Sequence, residues 1–167
     1  VNPKDEESLK RVINYPARGI GQTTIDKLVV GAKHHGLTIF EVAERAMQLN
    51  IGVNAGTAQK LADFVMLIKS LQIFNETANA FEVADEVAKR TKIVLDLKKD
   101  GTPEGISKIE NIEELLNGIK DFTEGQEELA DATGSLTEFL EDVALATDFD
   151  NENADDNTPR VSLMTIH

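Results

Sequence analysis

The chain has no cysteine, no tryptophan and a single tyrosine in 167 residues. Without cysteine there is no disulfide framework, no thiolate zinc site and no cysteine nucleophile. That absence fits a reducing compartment, and a cytoplasmic location is expected. With no tryptophan, the seven phenylalanines read as core residues rather than a platform for stacking bases. No apolar run reaches the roughly 18 residues of a membrane span. Val1-Asn2-Pro3-Lys4-Asp5 lacks the basic-then-apolar order of a signal peptide. Basic residues are scarce: 17 Lys and Arg stand against 30 Asp and Glu, a formal charge of −13. Such a balance argues against a general nucleic-acid binder. No Gly-x-x-x-x-Gly-Lys-Ser/Thr phosphate loop occurs, so no NTPase site is expected within these residues.

What is present suffices for one domain with a real core, at 41% apolar residues. The charge is unevenly spread. Residues 1–40 carry six basic and four acidic side chains, a net of +2, whereas residues 41–167 carry 11 and 26, a net of −15. Read along the chain, any phosphate contact is expected in the first quarter.

Apolar spacing predicts an all-α domain of about seven or eight helices. Asn2-Pro3 reads as a helix start leading to Leu9, Val12 and Ile13, and Pro16 closes that element. Ile25, Leu28, Val29 and Ala32 trace the stripe of a second helix that stops at Gly36. Thr38 and Glu41 form a capping box, with Phe40, Ala43 and Met47 inward. A long helix is expected over 57–77, with Leu61, Phe64, Val65, Ile68 and Leu71 buried. Asn79 caps another, burying Val83, Ala84, Val87 and Ala88. Ile93 to Leu97 reads as a short helix. A further helix is expected over 104–122, then a polar loop over 123–134. Ser135 and Glu138 form a second capping box before Phe139, Leu140 and Val143. Residues 148–160 read as an acidic linker, and Val161 to His167 as a strand. That strand has no partner in the sequence, so it is expected to belong to a neighbouring sheet and the chain to be excised from a larger one.

Few residues offer chemistry. His34, His35 and His167 lack metal spacing; the first two suit the end of a helix dipole and, being adjacent, are expected to diverge. Asp148 to Glu152 begins like a calcium loop, but Asn153 stands where that loop needs glycine and Pro159 where it needs glutamate. No carboxylate pair is placed across a cleft. What remains is Tyr15-Pro16-Ala17-Arg18-Gly19-Ile20-Gly21-Gln22-Thr23-Thr24, a proline-marked turn with an apolar residue between two glycines, opening a helix. Gly19 and Gly21 let a phosphate approach the backbone while Ile20 anchors the turn. N–H groups near Thr23 and Thr24 are expected to bind its oxygens, with charge from Arg18 and Lys27. Contacts of this kind position a protein on a duplex without reading sequence.

Arg11 to Gly21 resembles the segment that opens domain 2B of the UvrD/PcrA/Rep superfamily 1 DNA helicases. Ile109-Glu110-Asn111-Ile112-Glu113-Glu114-Leu115 resembles their "R-I-E-N-x-E-E-L" helix, and Leu136-Thr137-Glu138-Phe139-Leu140 a later one. Val161-Ser162-Leu163-Met164-Thr165-Ile166-His167 is similar to the start of helicase motif V. The resemblance implies residues 1–147 as domain 2B, 148–160 as linker, and 161–167 as the edge of RecA-like domain 2A. It further implies a 3′-to-5′ helicase whose ATP and Mg²⁺ are held by motor domains outside this chain, the fragment itself having no cofactor, metal or catalytic residue. Duplex DNA at a single-strand/double-strand junction, the motor domains of the same chain and repair proteins are the implied partners. Arg18, Gly19, Ile20, Gly21 and Thr24 carry over as duplex contacts, and His167 as a residue near the single-stranded track. The alternative is a regulatory or protein-docking module that gates the motor by swivelling, or recruits repair proteins through its acidic surface.

Overall fold

A computed structural model describes residues 4–127 and 133–152. Within them the chain forms eight α-helices and no strand. These are α1 (Glu6–Val12), α2 (Gln22–His35), α3 (Ile39–Glu44), α4 (Ala55–Asn75), α5 (Ala80–Thr91), α6 (Ile93–Asp100), α7 (Pro103–Glu127) and α8 (Leu136–Glu152). Among the described residues no helix is long and apolar enough to cross a membrane.

Side-chain caps set most boundaries. α1 begins at Glu6 because the Asp5 carboxylate caps it, accepting the Ser8 N–H at 3.0 Å, while the expected start at Asn2-Pro3 lies outside the described residues. The Thr38/Glu41 and Asn79/Glu82 boxes are both reciprocal, and Ser135 and Glu138 exchange the same pair of bonds. Asn54 caps α4, starting it two residues before the expected Thr57. Gly36 ends α2 at φ 65°, a conformation glycine takes without steric cost.

The main core lies among α1 to α4. Ile13, Ile20, Ile25, Leu28, Ile39, Phe40, Val42, Leu61, Phe64 and Val65 pack there as one cluster. α5 bridges outward: it packs on α4 at one side and on α6, α7 and α8 at the other. Ala80, Val83, Leu97 and Ile119 are buried in this second layer. Thus the segment matching the early turn sits in the better-packed half.

Several expectations need correction. α3 ends at Glu44, so Met47 falls beyond the helix and lies exposed. Val87, Leu140 and Val143 are also exposed: burial on α5 is confined to Ala80 and Val83 at its start, and α8 packs chiefly against α5, with Phe139 meeting Phe122 of α7. Residues 123–127 are helical rather than loop. Thr123 is buried, and its hydroxyl donates to the Ile119 carbonyl at 2.8 Å, which satisfies it inside α7. α8 continues to Glu152, so the stretch read as linker begins as helix, including the calcium-like Asp148 to Glu152. The strand at 161–167 lies outside the described residues.

Candidate nucleic-acid interface

The turn between α1 and α2 is built around Asn14. Its Oδ1 accepts the backbone N–H groups of Arg18 and Ile20, both at 3.0 Å. A side-chain amide that takes two backbone donors substitutes for a missing secondary-structure partner. Gly19 sits between them at φ 70°, where any other residue is strained. Ile20 is fully buried, packed into the cluster with Ile13, Ile25, Leu28 and Phe64. Burying one isoleucine contributes roughly 1.5–3 kcal/mol, enough to hold the loop down.

Gly21 then opens α2 as its N-cap, with φ −79° and ψ 170° and no side chain to cap the helix. The Thr24 and Ile25 N–H groups return to the Gly21 carbonyl at 2.9 and 3.3 Å. Among the described residues the N–H groups of Gln22 and Thr23 have no backbone acceptor, as the first turn of a helix dictates. Among the described residues, apart from its chain neighbours and the backbone of its own helix, nothing lies within 4 Å of where a Gly21 Cβ would stand. The packing of this chain therefore does not require glycine at 21. It leaves open space in front of two free donors and the positive end of a 14-residue helix.

The charged side chains are arranged differently from what their order suggests. Arg18 Nη1 lies 2.9–3.4 Å from the carbonyls of Val12, Ile13, Tyr15 and Pro16. Its guanidinium sits over the Phe64 ring, 5.4 Å from the centroid. Burial pushes its pKa down, yet a guanidinium stays charged at any relevant pH. Arg18 thus ties off the carbonyl end of α1, and the sequence order alone had assigned it only to phosphate. Lys27 is exposed and donates to the Gly52 carbonyl. Lys60 comes from α4, 41 residues away, and places Nζ 3.4 Å from the Gly19 carbonyl. Since Lys60 and Phe64 are one helical turn apart, α4 clamps Arg18 and Gly19 together.

The fold therefore brings Arg18, Gly19, Ile20, Gly21, Thr23 and Thr24 into one element, with Lys27 on the second turn of α2. His167 lies outside the described residues. His34 and His35 do not diverge; their rings meet edge to face, with centroids 4.7 Å apart. Among the described residues, no three His, Asp or Glu side chains group to hold a metal. Sequence reasoning missed Asn14 and Lys60. Asn14 precedes the Tyr-Pro turn and carried a local signal, since asparagine bonds turn backbone. Lys60 carried none.

Fold and turn together define a helical domain that presents backbone donors beside a glycine. The family described as the UvrD-like helicase C-terminal domain matches residues 1–167. The chain belongs to that family. It is 31% identical over 170 residues to the ATP-dependent DNA helicase PcrA of Bacillus subtilis (strain 168). Against PcrA of Staphylococcus aureus (strain Mu50 / ATCC 700699) the identity is 31% over 166 residues, and for Staphylococcus epidermidis it is 29%. Each match covers 99% of this chain but 22% of the relative.

Proposed function

We propose that this chain is domain 2B of an ATP-dependent 3′-to-5′ DNA helicase, and that it holds the duplex ahead of the fork by its phosphate backbone. The observation that carries this reading is the open space at Gly21, in front of the unpaired Gln22 and Thr23 N–H groups. A phosphate oxygen accepts from such donors, and a Cβ at 21 would stand in its way. Gly19 and Ile20 fix the turn, Thr23 offers a hydroxyl, and Lys27 and Lys60 add charge around it. Lys27 and Lys60 are each held by one exposed carbonyl, a bond worth about 1 kcal/mol net, so either can turn to a phosphate. The contacts involve backbone and charge alone, so binding is independent of base sequence. ATP, Mg²⁺ and the single-stranded track belong to motor domains beyond these residues in this reading.

Anisotropy titration of a labelled duplex at low salt tests it with a Gly21→Val variant. A loss of about tenfold or more with an unchanged melting temperature is expected. Undiminished affinity in the folded variant overturns the reading. A second reading, docking of repair proteins, draws on the exposed Leu140, Val143 and Leu145 of α8 within the acidic part of the chain. Retained duplex binding by Gly21→Val, together with lost partner binding by a Leu140→Ser/Leu145→Ser variant, would favour it.

A further inference from the structure

An open cleft lies between the first helical connection and the α5–α6 elbow, lined by Pro16 and Ala17 on one side and by Thr91, Lys92, Leu95, Asp96, Lys98 and Lys99 on the other. The stretch 89–100 is the basic exception in the acidic part of the chain, with five cations against two carboxylates. Lys89 is paired with Asp85, and Arg90 with Glu86 and the Ser70 hydroxyl. Lys92, Lys98 and Lys99 are exposed and, among the described residues, make no ion pair. Asp96 is the one carboxylate among the described residues that line the cleft, so these carry a net positive charge.

The elbow is built at a conformational cost. Lys92 is both the C-cap of α5 and the N-cap of α6, at φ 58° and ψ 27°. Glycine takes that conformation freely, whereas a lysine there costs roughly 1 kcal/mol. A cation therefore occupies the position where backbone geometry favours glycine, and it faces the cleft. Ala17 on the opposite wall is the residue before Arg18, so the cleft borders the start of the turn.

We propose that this cleft is a second phosphate-binding surface, through which Lys92, Lys98 and Lys99 hold the backbone of the same duplex that the Gly19–Thr24 turn engages. The inference rests on the duplex-holding reading and extends it to a region remote in sequence. Charge complementarity calls for an anionic occupant, and the position of the cleft beside the turn selects duplex phosphate over an acidic protein segment.

The test is a salt titration of duplex binding by the full chain, comparing it with Lys92→Gln/Lys98→Gln/Lys99→Gln, with Lys92→Gly, with Gly21→Val, and with the charge-matched Lys69→Gln/Lys108→Gln/Lys120→Gln. Each lost phosphate contact lowers the slope of log affinity against log salt by about 0.9. The cleft triple variant, losing three such contacts, is expected to lose about 2.7 from that slope and about 10- to 100-fold in affinity at low salt. Lys92→Gly is expected to melt no lower than the parent yet bind less tightly, which separates charge from folding. A parent-like slope in the triple variant overturns this proposal. If Gly21→Val still weakens binding in that case, the duplex grip survives without the cleft. Parent-like binding by both variants overturns both readings. An equal loss in the charge-matched control shows a general charge effect and overturns the cleft. Loss of binding to a poly-glutamate peptide with duplex affinity intact assigns the cleft to an acidic protein and also overturns it.

Discussion

At Gly19 and Gly21 the same amino acid serves two different ends. Gly19 is needed by the backbone, at φ 70°, and a Cβ there would come 2.6 Å from Lys60 Nζ. Gly19→Ala is expected to cost about 1–2 kcal/mol and to push Lys60 off the Gly19 carbonyl. Thermal denaturation reads the cost. Gly21 has ordinary backbone angles and empty space around it, so Gly21→Ala is expected to leave the melting temperature unchanged. A drop of several degrees would mean that glycine 21 is structural after all. Asn14 belongs with the turn although it faces inward. Asn14→Ala removes the acceptor of two backbone N–H groups and is expected to destabilise by about 1–3 kcal/mol. Duplex affinity is expected to fall as well, because the donors at Gln22 and Thr23 are aimed by the turn that Asn14 closes. Unchanged affinity in a folded Asn14→Ala variant would show that the turn holds its shape without it. The Gly-x-Gly pattern and the buried isoleucine were legible in sequence, whereas the division of labour between the glycines was not. Only φ and the surrounding space separate them.

Helix ends are where local sequence and structure agree best. Capping boxes at Thr38/Glu41, Asn79/Glu82 and Ser135/Glu138 all form, because their partners lie three residues apart and need no tertiary context. Removing the Thr38 hydroxyl as Thr38→Ala is expected to cost about 1 kcal/mol, a shift of about 2–4 °C in melting temperature. The same bonds set a pH dependence. Hydrogen bonds from the Ser8, Thr38 and Ser135 groups hold the Asp5, Glu41 and Glu138 carboxyls below their ordinary values. A carboxyl with a lower pKa folded than unfolded stabilises the fold above its unfolded value, and that stability is lost as pH falls through the folded one. The melting temperature is therefore expected to be flat near neutrality and to fall from about pH 5 downward. Glu41→Gln and Glu138→Gln are expected to flatten that fall, and a melting curve as steep as the parent's would assign it elsewhere. Helix faces were less legible than helix ends. Val87, Leu140, Val143 and Met47 fit apolar stripes yet lie exposed, since a stripe records what could be buried and not whether a neighbour arrives to bury it.

Over the whole molecule, charge decides what the domain can hold. Counted in sequence order, the basic excess stops at residue 40. In three dimensions α4 brings Lys60 to Gly19, and the α5–α6 elbow brings the 92–99 cluster across a cleft from Pro16 and Ala17. Duplex binding is accordingly expected to weaken steeply with salt despite the overall charge of −13, because local cations and not the net charge meet the phosphates.

Apolar spacing, caps and glycine stops determined by themselves that the described residues are helical and where most of the helices are capped, while four short motifs carried the family resemblance. These signals are local, acting over three or four residues. Tertiary structure alone decided that Arg18 ties down its own turn, that Lys60 reaches Gly19 across 41 residues, and that Gly21 faces open space. Each of these depends on which helices pack together, and contact between residues far apart in the chain leaves no periodicity to read.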